Sequence, residues 1–220
     1  MATVTYSGAG WATSAANELL GLPTGTMSER TLCHAVVVLS YVALEALMND
    51  LAIAREWALG GRRPWPAKLD KLAAALAEAE NRRECLEVKV NMITELCTGR
   101  RADWGSGPLQ RLTTLTRLRH ALVHIKPHKL GDPGLVQKVV RDVPALHALP
   151  RGAEPFAPPL VDLLRRPTAE WALKVACDAA NCILDVIERA IGSDEAAVHL
   201  FSHRTAFDLS EGAAATGCDR

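Results

Sequence analysis

Apolar residues along this chain recur at intervals of three and four, the spacing of one face of an α-helix, and almost nowhere alternate as a strand requires. "PLQRLTTLTRLRHALVHIK" shows it best: Leu112, Leu115, Leu118, Leu122 and Ile125 fall on one stripe, and Pro108 suits a first helical turn. "SERTLCHAVVVLSYVALEALMNDLAIAREWALGG" predicts a long helix from Ser28 as N-cap to Gly60-Gly61. Its valine cluster is strand-like, but its length and flanks favour a buried helix. "PAKLDKLAAALAEAENRRECLEVKVNMITELC" is rich in strong helix formers and predicts one helix, or two meeting near Asn81.

Prolines at 127, 133, 144, 150, 155, 158, 159 and 167 predict a long irregular excursion. A final amphipathic helix, "TAEWALKVACDAANCILDVIERAIG", follows with Thr168 as its cap, and "SEGAAATGCDR" reads as a frayed end. The expected fold is all-α, an antiparallel four- to five-helix bundle with a long proline-rich insertion before its last long helix. Residues 1–27 read as an N-terminal extension or short helix, 28–200 as the helical domain with its insertion at about 127–167, and 201–220 as a C-terminal tail.

Composition narrows the function classes. The chain has 220 residues, 49% hydrophobic and 23% charged, enough for a substantial core. Lysine plus arginine and aspartate plus glutamate balance at 25 each, so any nucleic acid must be held by a local patch. An aromatic content of 5% argues against single-strand stacking platforms. The six cysteines (Cys33, Cys85, Cys97, Cys177, Cys182, Cys218) form no CxxC pair. The start lacks the pattern of a signal peptide, and the best apolar run, Leu32 to Leu44, stops at Glu45. A soluble, cytoplasmic protein without a membrane partner is the expectation.

The chemistry-bearing stretch is "LTRLRHALVHIKPHKL". On a helix Arg119 borders the leucine stripe, so its guanidinium emerges at a packing boundary. His120 and His124 lie on the wetter side, about 140° from Arg119 in the case of His124. Arg119 and His124 therefore converge only if the helix ends or kinks between them, or if they meet across two chains. Pro127 places His124 in or near the last turn. Three readings are open: metal ligation by His120, His124 and His128; a solvated helix end; or acid–base and electrostatic chemistry on a phosphate. Pro127 interrupts the first, and no HExxH glutamate accompanies it. Upstream, Glu45 and Asn49 make a narrow polar stripe on an otherwise apolar helix, which either faces water or positions Arg119 or a histidine.

"RHALVH" resembles the signature of HEPN domains, an arginine, four to six residues, then a histidine, with a polar residue, here His120, after the arginine. "SYVALEALMNDLA" is similar to the first long HEPN helix, and Glu45 and Asn49 match its glutamate and asparagine one turn apart. The resemblance covers roughly 28–127 and, more loosely, 168–192. It implies a HEPN-like helical domain that dimerises into a composite cleft and cleaves RNA without a metal or other cofactor. The RNA 2′-hydroxyl attacks the adjacent phosphate and leaves a 2′,3′-cyclic phosphate. His124 is then the acid/base, Arg119 stabilises the charged phosphorane, His120 assists, and Glu45 and Asn49 support. The resemblance also implies a toxin or defence effector, with an antitoxin or nucleotidyltransferase-type partner. The alternative is a non-catalytic helical dimerisation or interaction module.

Overall fold

A computed structural model describes residues 7–60, 67–124, 132–148, 159–192 and 207–208. Among these the regular structure is entirely helical, with no strand: α1 (Gly8–Gly21), α2 (Glu29–Gly60), α3 (Ala67–Asn81), α4 (Leu86–Thr98), α5 (Gly107–Val123), α6 (Pro133–Asp142), a 3-10 turn (Pro144–Ala148), α7 (Pro159–Asp162) and α8 (Arg166–Ile191). The all-α class follows.

Local chemistry explains most boundaries. Ser28 Oγ accepts the Thr31 N–H at 3.1 Å and so caps α2 as its position predicts. The 67–98 segment is two helices: Arg83 turns into the left-handed region (φ 55°), and α4 then runs to Gly99, whose φ of 72° and N–H bond to the Glu95 carbonyl close it. Pro108 sits in the first turn of α5, where a missing N–H costs nothing.

The proline-rich stretch differs from its expectation. Most of its described residues are helical, because Pro133 and Pro159 open helices and Pro167 lies in the first turn of α8. Asp132 caps α6, accepting from the N–H groups of Gly134 (2.9 Å) and Leu135 (3.3 Å). Residues 149–158 and the frayed end expected at 210–220 lie outside the described residues. Thr168 is not the cap of the last helix. That helix starts two residues earlier, and the buried Thr168 hydroxyl donates to the Leu163 carbonyl at 2.5 Å.

The chain forms two compact units. The first comprises Met1–Ala12, Val42–Asp103 and Cys177–Arg220. Here α3 packs on α4, and Leu44, Leu47, Leu76, Ile93, Leu184, Ile187 and Phe207 are fully buried. The buried Lys89 pairs with Glu80 between those two helices. At the start of α1, the buried Asp50 carboxylate accepts from Ser7 Oγ at 2.6 Å and from the Ala9 N–H at 3.2 Å. Gly8 is close-packed against Ala46, and a Cβ there would lie 3.3 Å from the alanine methyl.

The second unit comprises Thr13–Tyr41 and Trp104–Ala176. In it α6 packs on α5, α7 and the 3-10 turn, burying Leu112, Leu115, Leu118, Val139 and Leu160. The Arg166 guanidinium donates to the Leu20 and Leu22 carbonyls at 2.8 and 3.0 Å, satisfying orphan acceptors where α1 ends.

Counted with its charged residues, Glu29–Ala54 is long and apolar enough to cross a bilayer, a longer stretch than the Leu32–Leu44 run. Just over half of its apolar window, 56%, is buried inside this protein, which is what a core helix of a soluble fold also shows.

Candidate functional site

The leucine stripe of α5 is buried from Leu112 to Leu122, and this orientation fixes where its polar residues stand. Arg119, at the edge of the stripe, is half-buried. Its guanidinium carbon lies 4.9 Å from the centroid of the Tyr41 ring, within cation–π range. Its Nε is buried without a hydrogen-bond partner. Tyr41 itself is buried and belongs to the same unit.

His120 and His124 occupy the other side. Both are exposed, and their ring centroids are 4.3 Å apart with the planes tilted by 56°. His124 is the C-cap residue of α5, with φ −94° and ψ 1°, and its N–H donates to the His120 carbonyl at 3.2 Å. The helix runs unbroken from Arg119 through Val123 and closes at His124, its C-cap. With about 100° per residue the two remain on separate faces of one chain.

Of the other arginines beside this segment, Arg117 is committed to an ion pair with Asp132 at 3.0 Å. Two backbone N–H groups at the start of α6, Leu135 first and Gly134 after it, together with Arg117, hold the Asp132 carboxyl below the usual carboxylate range against a smaller opposing effect of desolvation. His128, the third member of the proposed metal set, lies outside the described residues. Among the described residues no group of three or more histidine, cysteine, aspartate or glutamate side chains is arranged to hold a metal ion.

Glu45 and Asn49 fall in the first unit and are half-buried. The Asn49 side-chain oxygen is buried with no hydrogen-bond partner. Tyr41, Glu45 and Asn49 follow one another at four-residue intervals, which places them along one face of α2. The next residue, Asp50, is the more deeply buried acid, and its bonds to Ser7 and Ala9 give it a structural task.

Sequence reasoning missed Tyr41 and Asp50. Tyr41 was legible as an aromatic one turn before Glu45 in "SYVALEALMND", whereas Asp50 carried no local signal for a partner 43 residues away. Burial, aided by Glu29, pushes the Cys33 thiol up to about 12, so this cysteine behaves as a small core hydrophobe. Comparison of the chain with protein-family models, with curated proteins and with solved structures finds no match.

Proposed function

We propose that the protein is a metal-independent endoribonuclease of the HEPN type, built as a helical bundle and active as a homodimer. One observation carries the reading. One and five positions after a guanidinium held at a packing boundary, two imidazoles stand together and exposed near the end of the same helix. Such a set supplies a fixed positive charge and a titratable proton carrier, the two groups that transesterification of RNA demands.

In this mechanism the substrate supplies its own nucleophile. The 2′-oxygen bonds to phosphorus while the imidazole of His124 removes its proton. Arg119 offsets the charge gathering on the non-bridging oxygens. The P–O5′ bond then breaks, the 5′-oxygen leaves with the proton that His124 took from the 2′-hydroxyl, and a 2′,3′-cyclic phosphate remains. His120 fixes the His124 backbone through its carbonyl. Because Arg119 and His124 diverge on one helix, the cleft is composite, with the arginine of one copy meeting the histidine of a second. Glu45 and Asn49 serve as supporting residues, and a role of toxin or defence effector, restrained in the cytoplasm by an antitoxin or nucleotidyltransferase-type partner, fits this chemistry.

Incubation with total RNA in EDTA tests the proposal. Wild-type protein cleaves, and Arg119→Ala and His124→Ala each lower the rate by about 100-fold or more, the scale of a lost acid–base or electrostatic group. Substrate with a single 2′-deoxy sugar at the cleavage site resists. A rate unchanged in either variant overturns the assignment of that residue.

One observation favours a second reading, a non-catalytic interaction module. Arg119 is already engaged by Tyr41 and turned away from the histidines of its own chain. An intact dimer that leaves RNA uncut supports that reading.

A further inference from the structure

We propose that His120 and His124 form a two-point binding site for a divalent transition-metal ion of the zinc, nickel and copper class. The two residues are one helical turn apart, about 40° around the axis, so their side chains leave α5 in nearly the same direction. Their ring centroids already lie 4.3 Å apart, with the planes tilted by 56°, and both residues are exposed to an ion arriving from solvent.

The geometry is close to what chelation demands. Metal–nitrogen bonds of about 2.0–2.1 Å in a tetrahedral shell put the two ligating nitrogens about 3.3 Å apart. Imidazole centroids at 4.3 Å reach that spacing by small rotations of the side chains, with no movement of the backbone. The backbone is itself fixed, since the His124 N–H is bonded to the His120 carbonyl and closes the end of the helix. The first bound imidazole therefore brings the second to a high effective concentration, and little ordering remains to oppose binding.

Ligand chemistry sets the class of ion. Neutral imidazole suits zinc, nickel and copper and is a poor match for magnesium, which requires oxygen ligands in an octahedral shell. No third histidine, cysteine or carboxylate among the described residues joins the pair in a metal-holding cluster, so the two imidazoles are the ligands that these residues supply. Affinity is accordingly weaker than at a structural zinc site with four protein ligands. The site uses the same imidazoles as the proposed cleavage chemistry, but binding can be measured without RNA and stands or falls separately.

The test is calorimetric titration of the full chain with nickel chloride and with zinc chloride in chelator-free buffer, on wild type, His120→Gln, His124→Gln and the double variant. Each single variant should lose at least tenfold in affinity at one site per chain, and the double variant should be no worse than the singles, because a chelate needs both rings. Single variants that keep wild-type affinity, or that each lose only half of a weak capacity, overturn the proposal, as does magnesium binding equally well. The unmodified chain supplies an independent reading. Substoichiometric copper(II) broadens the NMR signals of both rings together if the pair chelates, and broadening of only one ring, or of neither, overturns it.

Discussion

Asp50 shows how much a single buried carboxylate can determine. Its two acceptor bonds satisfy the Ser7 hydroxyl and the Ala9 N–H at the start of α1, where helical donors have no intrahelical partner. Replacement by alanine leaves both donors unpaired beside a small cavity. Asp50→Ala should therefore cost about 1–3 kcal/mol of stability, read as a lower midpoint in urea unfolding with unchanged slope. Ser7→Ala, which removes one donor to the carboxylate and the acceptor of the Gly10 N–H (3.2 Å) while leaving Asp50 bound to Ala9, should cost about 1 kcal/mol. Equal costs for the two would mean that the serine, not the aspartate, carries the cap. Arg119 and Tyr41 illustrate the limit of reading at this scale. The arginine's place at the edge of the leucine stripe was legible from spacing alone, but the ring beneath it lies on another helix and no periodicity in α5 points to it.

At the scale of elements, α2 and α5 were readable because each repeats an apolar face over several turns and opens on a residue suited to that place, Ser28 as N-cap in one and Pro108 in the first turn of the other. Helix α6 was not. It is ten residues long, follows a proline, and sits in a stretch where prolines read as breakers; its origin lies in the Asp132 cap, which proline at the first position permits. The cap carries a pH signature. The Asp132 carboxyl is held below the usual carboxylate range chiefly by the Leu135 N–H, and the ionised form is what the folded helix binds. The carboxylate's contribution is thus complete above about pH 4 and is lost as pH falls through the lowered folded value. Asp132→Asn keeps a capping oxygen but cannot ionise. The difference in melting temperature between wild type and this variant should be constant from neutral pH down to about 4 and shrink below it. A difference that grows on acidification would reverse the sign and remove the cap from the account.

For the whole molecule, the sequence made the all-α class legible, while the ties that join distant segments were not. The Arg166 side chain satisfies carbonyls at Leu20 and Leu22, 146 and 144 positions away, and no pattern along the chain encodes such pairings. The proposed site poses the same problem across copies. Each chain carries one Arg119 and one His124 on different faces of α5, so a composite cleft draws its arginine from one chain and its histidine from the other. A symmetric dimer then contains two equivalent clefts. Mixing Arg119→Ala with His124→Ala and allowing subunits to exchange makes heterodimers in which one cleft lacks both groups and the other keeps both. Random exchange yields heterodimers as half of all dimers, each with one working cleft of two, so RNA cleavage should recover to about a quarter of the wild-type rate. Neither variant alone, at the same total concentration, should approach that value. Recovery requires that Arg119 and His124 of different chains serve one phosphate; a mixture as inactive as its components, with exchange verified by differently tagged subunits, would place both groups of a working site in a single chain and so contradict the divergence seen on α5.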